Sequence, residues 1–186
     1  MRRLIIGVAA AAFSFTTAHA ADIVDGPRTH WNFALWGKPR ASSTATINFS
    51  KYLEARTGGK FTMTIHWGTL SAPRSVLDGL SLGAFQGGAF CASYYPAKLP
   101  AHTGLDLPFM PINNFDTLRD VTEDYYNNPV LRKETKKWGS FFHMSSLLPL
   151  YEVVGKGEPP KSLADWKGMR IRALGQQGKA MEKLGA

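Results

Sequence analysis

Between His30 and Ser93 the chain alternates strand and helix signals, and that alternation limits its fold more than any other feature. His30–Trp36 (HWNFALW) reads as a strand broken by Gly37-Lys38-Pro39. Ala41–Arg56 follows with helical spacing. Ser42 or Ser43 can cap it, Ile47, Phe49, Tyr52 and Leu53 supply its apolar face, and Gly58-Gly59 stops it. Phe61–Trp67 (FTMTIHW) alternates apolar and polar residues with period two, a strand signal. Pro73 can open the next helix, whose buried stripe is Val76, Leu77, Leu80 and Leu82 before Gly83 closes it. Phe85–Ser93 (FQGGAFCAS) reads as a third strand buried on both faces. Strands separated by helices pair in parallel, joined by right-handed crossovers, so the class is α/β. Ligands of open parallel sheets sit at the carboxyl ends of the strands. The candidate mouth is therefore lined by Trp36, Trp67–Leu70 and Phe90–Tyr94.

A chain of 186 residues suits about one domain or slightly more. With 44% hydrophobic and 19% charged residues it has enough apolar mass for a core, which excludes a mainly disordered chain. A single cysteine, Cys91, excludes an internal disulfide framework and a cysteine-rich zinc site. Met1-Arg2-Arg3, the apolar run Leu4–Phe15 and Ala18-His19-Ala20 form the three parts of a secretory signal. Cleavage after Ala20 is expected, and export with one cysteine fits the bacterial periplasm. The formal charge of +8 then falls by the two units of Arg2 and Arg3. No later stretch is apolar enough to span a bilayer.

Tyr95–Asn114 is a proline-rich loop in which Leu105, Leu107 and Phe109 call for burial. Phe115–Trp138 reads as two helices split at Asn127-Asn128-Pro129, with their charges on a solvated face. Ser140–Leu148 and Tyr151–Val154 read as strand, Ser162–Trp166 as a short turn or helix, Met169–Ala173 as strand and Gln176–Leu184 as helix.

Several segments together resemble the solute-binding proteins of tripartite ATP-independent periplasmic (TRAP) transporters, DctP type. They are TGGKFTMTIHWGTL (Thr57–Leu70), the Gly-rich strand ending in a tyrosine, LPFM (Leu107–Met110) and LADWKGMRIR (Leu163–Arg172), the last similar to that family's DLKGLKIR motif. The likeness runs from about residue 30 to the last residue. It implies a two-lobed, periplasmic binding protein-like α/β fold that closes on an organic acid, with residues 21–149 as the first lobe. Residues 150–186 would be a crossover strand and the opening of the second lobe. Family members carry more second-lobe chain, so truncation is expected, and with it weak or absent ligand binding. The implied partners are a small and a large integral membrane subunit, and no cofactor is implied.

The resemblance places Arg172 at a strand end where a guanidinium holds the ligand carboxylate through two parallel hydrogen bonds. Arg170 is read as structural or solvent-facing. Glu152 falls near a position where some acid-binding members carry a second arginine. An acid there would repel a second carboxylate and suit an amine, a hydroxyl or Arg172 itself; the alternative is that it faces solvent. Trp36, Trp67, Phe90 and Tyr94 either stack on the ligand body or pack the core. Together they favour a monocarboxylate with an apolar part. Thr69 and Ser71 offer anion donors or merely caps. Cys91, within an apolar run, reads as a buried small hydrophobe rather than a nucleophile. His30, His66, His102 and His143 show no metal spacing. No phosphate-binding glycine motif or nucleophile elbow appears, and the spread charge does not suggest nucleic-acid binding. The leading expectation is a periplasmic solute receptor. The rivals are an exported α/β enzyme using Glu152 or Asp106 as acid or base, and a non-functional remnant.

Overall fold

The computed structural model describes residues 23–107, 110, 112–148 and 151–186. The leader expected at residues 1–20 and the burial expected of Phe109 lie outside the described residues. The sheet has three parallel strands, β1 (Thr29–Leu35), β2 (Phe61–Trp67) and β3 (Gly87–Ala89), in the order β2-β1-β3. Thr29 pairs with Phe61 and Leu35 with Trp67, so β1 and β2 end in register; Phe33–Leu35 pair with Gly87–Ala89 on the other side. Helix α1 (Thr44–Arg56) links β1 to β2, and α2 (Val76–Ser81) leads into β3. The expected parallel α/β core is therefore present.

Glycine decides how β3 fits. A Cβ on Gly87 would lie 2.5 Å from the Phe33 ring, and one on Gly88 would lie 2.6 Å from Val76 Cγ1. At Gly87 and Gly88 the strand lies too close to Phe33 and Val76 for a side chain. The strand expected over Phe85–Ser93 accordingly shortens to the three residues that can approach β1 so closely. Gly88→Ala is expected to destabilise the fold by about 1–3 kcal/mol through overpacking, measurable by urea unfolding. An unchanged midpoint would show that Val76 moves aside freely.

Two apolar clusters flank this strand. Ala34, Val76 and Phe85 form one, joined by Leu80 and Phe90. Leu77, Tyr95 and Leu99 form the other, joined by Phe90, Tyr94 and Trp138. The Tyr95 hydroxyl donates to the Pro73 carbonyl at 3.0 Å and accepts from the Leu77 amide at 3.3 Å. Burial raises this phenol's pKa above its usual value.

Helical geometry corrects part of the expected core. Val76, Leu77 and Leu80 share one side of α2, but Leu82 lies about 240° around from Val76 and is 84% exposed. In α1 the innermost position belongs to Thr46, while Tyr52, on the opposite side, is exposed beneath the Arg56 guanidinium. Ser43 does not cap α1; its hydroxyl donates to the Arg40 carbonyl at 2.7 Å. Leu107 is exposed, contrary to the burial expected of it.

The loop after β3 forms short 3-10 turns, Ala92–Tyr94 and Ala101–Asp106. Helices α3 (Phe115–Asn127) and α4 (Pro129–Lys136) follow, split where the sequence places the break. The Asn114 side chain accepts from the Thr117 amide to cap α3, and Asn128 caps α4 from the Val130 amide with Pro129 at the first turn. A 3-10 turn at Leu163–Trp166 and helix α5 (Gly175–Lys183) complete the described chain. The strands expected at 140–148, 151–154 and 169–173 do not form among the described residues. Alternation supplies an apolar face, but a strand also needs a neighbour's backbone to bond, and Val153 and Val154 lie exposed. Among the described residues no helix is long and apolar enough to cross a membrane.

Candidate functional site

The order β2-β1-β3 makes the chain cross over β1, so the topological switch lies between β1 and β3. Trp36 follows β1 directly and Phe90 follows β3. Trp36 meets Tyr94 edge-on with ring centroids 6.3 Å apart, and these two sequence-chosen aromatics frame the switch. Phe90 turns inward, packing against both clusters and meeting Tyr95 edge-on at 5.1 Å. Trp67 ends β2, on the side of β1 away from the switch. Beside it the Gly68 amide donates to the Leu35 carbonyl at 2.7 Å. Gly68, at φ 72°, packs against the Gly37 turn, where a left-handed backbone and a close approach both call for glycine.

Two arginines that the sequence reading passed over stand at the aromatic pair. The Arg40 guanidinium lies 4.8 Å from the centre of Trp36, and that of Arg74 lies 5.5 Å from Tyr94. Arg40 is committed to its own loop, donating to the Trp36 carbonyl at 2.7 Å, the Lys38 carbonyl at 3.1 Å and Ser42 Oγ at 3.1 Å. Arg74 makes no hydrogen bond among the described residues and is exposed, so its donors face outward. The signal for Arg74 was its place next to Pro73, at the opening of the helix after β2.

A polar cluster follows β3. The Ser93 hydroxyl donates to Asp106, and Cys91 Sγ lies 3.4 Å from Ser93 Oγ. Cys91 is thus partly exposed and hydrogen-bonded rather than a fully buried hydrophobe. Asp106, a candidate acid or base in the enzyme reading, is engaged by this hydroxyl. Burial, then the nearby Cys91 and Asp106, raise the Tyr151 phenol above its ordinary pKa. Burial does the same, more strongly, to Tyr126, whose ring stacks on Phe142 at 4.7 Å. Gly175, opening α5, packs on Ser93: a Cβ there would fall 3.2 Å from the Ser93 carbonyl oxygen. The segment that carries Arg172 therefore leads into a contact with the turn after β3.

Arg172 and Glu152 are themselves exposed, and neither forms a hydrogen bond or ion pair among the described residues. The structure thus brings Trp36 and Tyr94 into ring contact and packs Phe90 against both apolar clusters; among the described residues no ring contact, hydrogen bond or ion pair ties Trp67, Glu152 or Arg172 to that pair. None of the six lines the recess beside Ala41, Phe115 and Ser146 or the one beside Arg132, Lys136 and Phe141.

The histidines have local partners. His30 shares a hydrogen bond with Thr62 Oγ1 at 2.8 Å, His66 with Asn32 Oδ1 at 2.8 Å, and His143 packs on Phe49. His102 is buried against Glu134 at 2.7 Å.

Several solved solute receptors share this fold. An extracytoplasmic solute receptor of Bordetella pertussis, DctP7, which binds pyroglutamic acid, matches with a TM-score of 0.65 at 20% identity. The match covers 85% of this chain and 52% of that one. TRAP periplasmic solute-binding proteins from Colwellia psychrerythraea, with calcium and pyruvate bound, and Pseudoalteromonas atlantica T6c, with sodium and pyruvate bound, match at TM-scores of 0.64 and 0.65. Their identities are 20% and 19%, and each match covers 86% of this chain and 49% of the other. The chain spans about half the length of the structures it matches. No curated protein matches it. The fold is that of the two-lobed α/β solute-binding proteins. From residue 36 to residue 186 the sequence fits the family described as bacterial extracellular solute-binding protein, family 7 (DctP), and the chain belongs to that family.

Proposed function

We propose that this chain serves a periplasmic receptor of a TRAP-type secondary transporter, which captures an organic acid and delivers it to a small and a large membrane subunit. It acts by binding, not by catalysis. The single observation that carries this reading is family membership over residues 36–186. The carboxylates named for the structural neighbours, pyruvate and pyroglutamate, support the ligand class. Residues 1–20 are the cleaved leader, 21–149 belong to the first lobe and 150–186 to the connection and the start of the second.

In this proposal Arg172 is the carboxylate anchor, because a rigid and permanently charged guanidinium matches both oxygens at once. Trp36 and Tyr94 supply an aromatic wall at the switch, and Arg74 adds positive potential beside it. Such a wall favours a monocarboxylate with an apolar or planar body. Trp67 and Glu152 line a second side of the cleft in the closed form. Closure follows from better contacts to the solute in the closed state than in the open one.

Thermal melting of this chain, and of the chain extended with any coding sequence that follows residue 186, against pyruvate, pyroglutamate and a four-carbon dicarboxylate tests the ligand class, since a ligand of the native state raises the midpoint by mass action. A monocarboxylate is expected to give the largest shift, and Arg172→Ala to weaken its binding on the order of 10- to 100-fold. Equal shifts in both proteins would remove Arg172 from the site.

A further inference from the structure

We propose that the outer face of α4 docks on an anionic lipid bilayer. Residues 131–137 read LRKETKK, and the helix sorts these charges by face. Leu131, Glu134 and Thr135 are buried on one side, while Arg132, Lys133, Lys136 and Lys137 are all exposed on the other. The one acid of this stretch is withdrawn from the surface. Glu134 accepts from the Ala101 amide at 3.1 Å and the His102 amide at 3.2 Å, and meets His102 Nδ1 at 2.7 Å. Its carboxylate is turned inward and hydrogen-bonded there, so the outer face keeps four cations. None of the four forms an ion pair among the described residues; Arg132 donates to the Asn127 side chain.

Apolar side chains stand at both ends of this face. Val130 is 63% exposed at its start, and Phe141 is 74% exposed just beyond its end. Arg132, Lys136, Phe141 and Phe142 line an open recess of about 570 Å³, which offers positive charge and aromatic surface together. The occupant this suits is a layer of phosphate headgroups over acyl chains. Three of the four cations are lysines, which protein–protein interfaces avoid and which follow a fluid sheet of negative charge well. The apolar side of α4 is already committed to the core, so the helix does not insert. It rests on the surface through its cations, with Phe141 as the one wedge.

The surface is distinct from the aromatic pair at the strand ends, and vesicle binding is read without solute, so this inference stands or falls independently of the receptor reading. The test is cosedimentation of the chain from Ala21, the form left after leader cleavage, with vesicles of phosphatidylcholine alone and with about one third phosphatidylglycerol. The comparison proteins are the triple variant Lys133→Gln/Lys136→Gln/Lys137→Gln and the charge-keeping triple Lys→Arg variant. Wild type is expected to prefer the anionic vesicles. The glutamine variant should lose on the order of 10- to 100-fold in binding, and the arginine variant should keep it. Salt of about 1 M should abolish the preference. Phe141→Ser should reduce binding by a smaller factor. Melting curves establish that each variant is folded, and the salt titration of the wild type stands even if one is not. Equal binding by wild type and the glutamine variant overturns the proposal, as does equal binding to neutral vesicles. A dimer in sedimentation equilibrium that the glutamine variant abolishes also overturns it, because the face then binds a second copy. Stronger retention on polyglutamate than on anionic vesicles overturns it in favour of an acidic protein partner.

Discussion

Glu134→Ala is expected to cost about 3–5 kcal/mol of stability, because it removes one member of a buried, hydrogen-bonded pair and strands the rest. The carboxylate ties α4 to the loop after β3 through the His102 ring and two backbone amides. Without it, the Ala101 and His102 amides and His102 Nδ1 lose their partner where water reaches poorly, for His102 is only 4% exposed. Among the described residues His102 Nε2 has no hydrogen-bond partner, so none of them offers the ring a replacement. Burial alone would push the Glu134 carboxyl up. The hydrogen bonds from His102 and from the two amides outweigh it and hold the pKa below its usual value. A group whose folded pKa is depressed stabilises the native state above its unfolded pKa, and the contribution fades as pH falls through the folded value. Urea unfolding at neutral pH and again below about pH 4.5 should therefore show the difference between wild type and Glu134→Gln shrinking on the acid side. A difference that stays constant with pH would mean the carboxylate is not charged in the fold. A neutral-pH loss for Glu134→Ala below about 1 kcal/mol would mean that water or a neighbour replaces it.

Leu77→Ala should destabilise by a similar amount, about 2–5 kcal/mol. Leu77 is completely buried against Tyr95 and Leu99, and its own amide donates to the Tyr95 hydroxyl. The cavity cannot collapse easily, because Tyr95 is also fixed to the Pro73 carbonyl and cannot follow the lost methyl groups inward. With a total stability of about 5–15 kcal/mol for a typical domain, either substitution removes a large share. Leu82→Ala is the control on the same helix. Leu82 is 84% exposed, so its removal should shift the unfolding midpoint little. Equal losses at the two positions would contradict the assignment of the core.

The parallel core was legible because each of its elements is specified locally. FTMTIHW alternates cleanly, Gly58-Gly59 and Gly83 end helices, and Asn128-Pro129 both stops α3 and starts α4. What the sequence hid was which positions of a pattern reach the core. Leu82 and Tyr52 are apolar, yet rotation along the helix turns both outward. The segments 140–148, 151–154 and 169–173 alternate like strands, but pairing depends on a neighbouring backbone that sequence patterning does not reveal. The aromatic pair at the switch was half legible. Trp36 and Tyr94 follow from strand ends, whereas Arg74 needed the three-dimensional placement of α2 against Tyr94. Glu134 was read as one charge among many on a solvated face; only the structure turns it inward to His102.

Equilibrium dialysis against isotopically labelled pyruvate and pyroglutamate, with the acid then recovered and identified, tests the central claim most directly. A receptor retains one of these acids saturably, loses that retention on Arg172→Ala, and returns the acid chemically unchanged. Conversion of the acid to a product would make the protein an enzyme. Retention of neither acid, by this chain and by the chain extended with any coding sequence that follows residue 186, both still melting cooperatively, would contradict the carboxylate assignment.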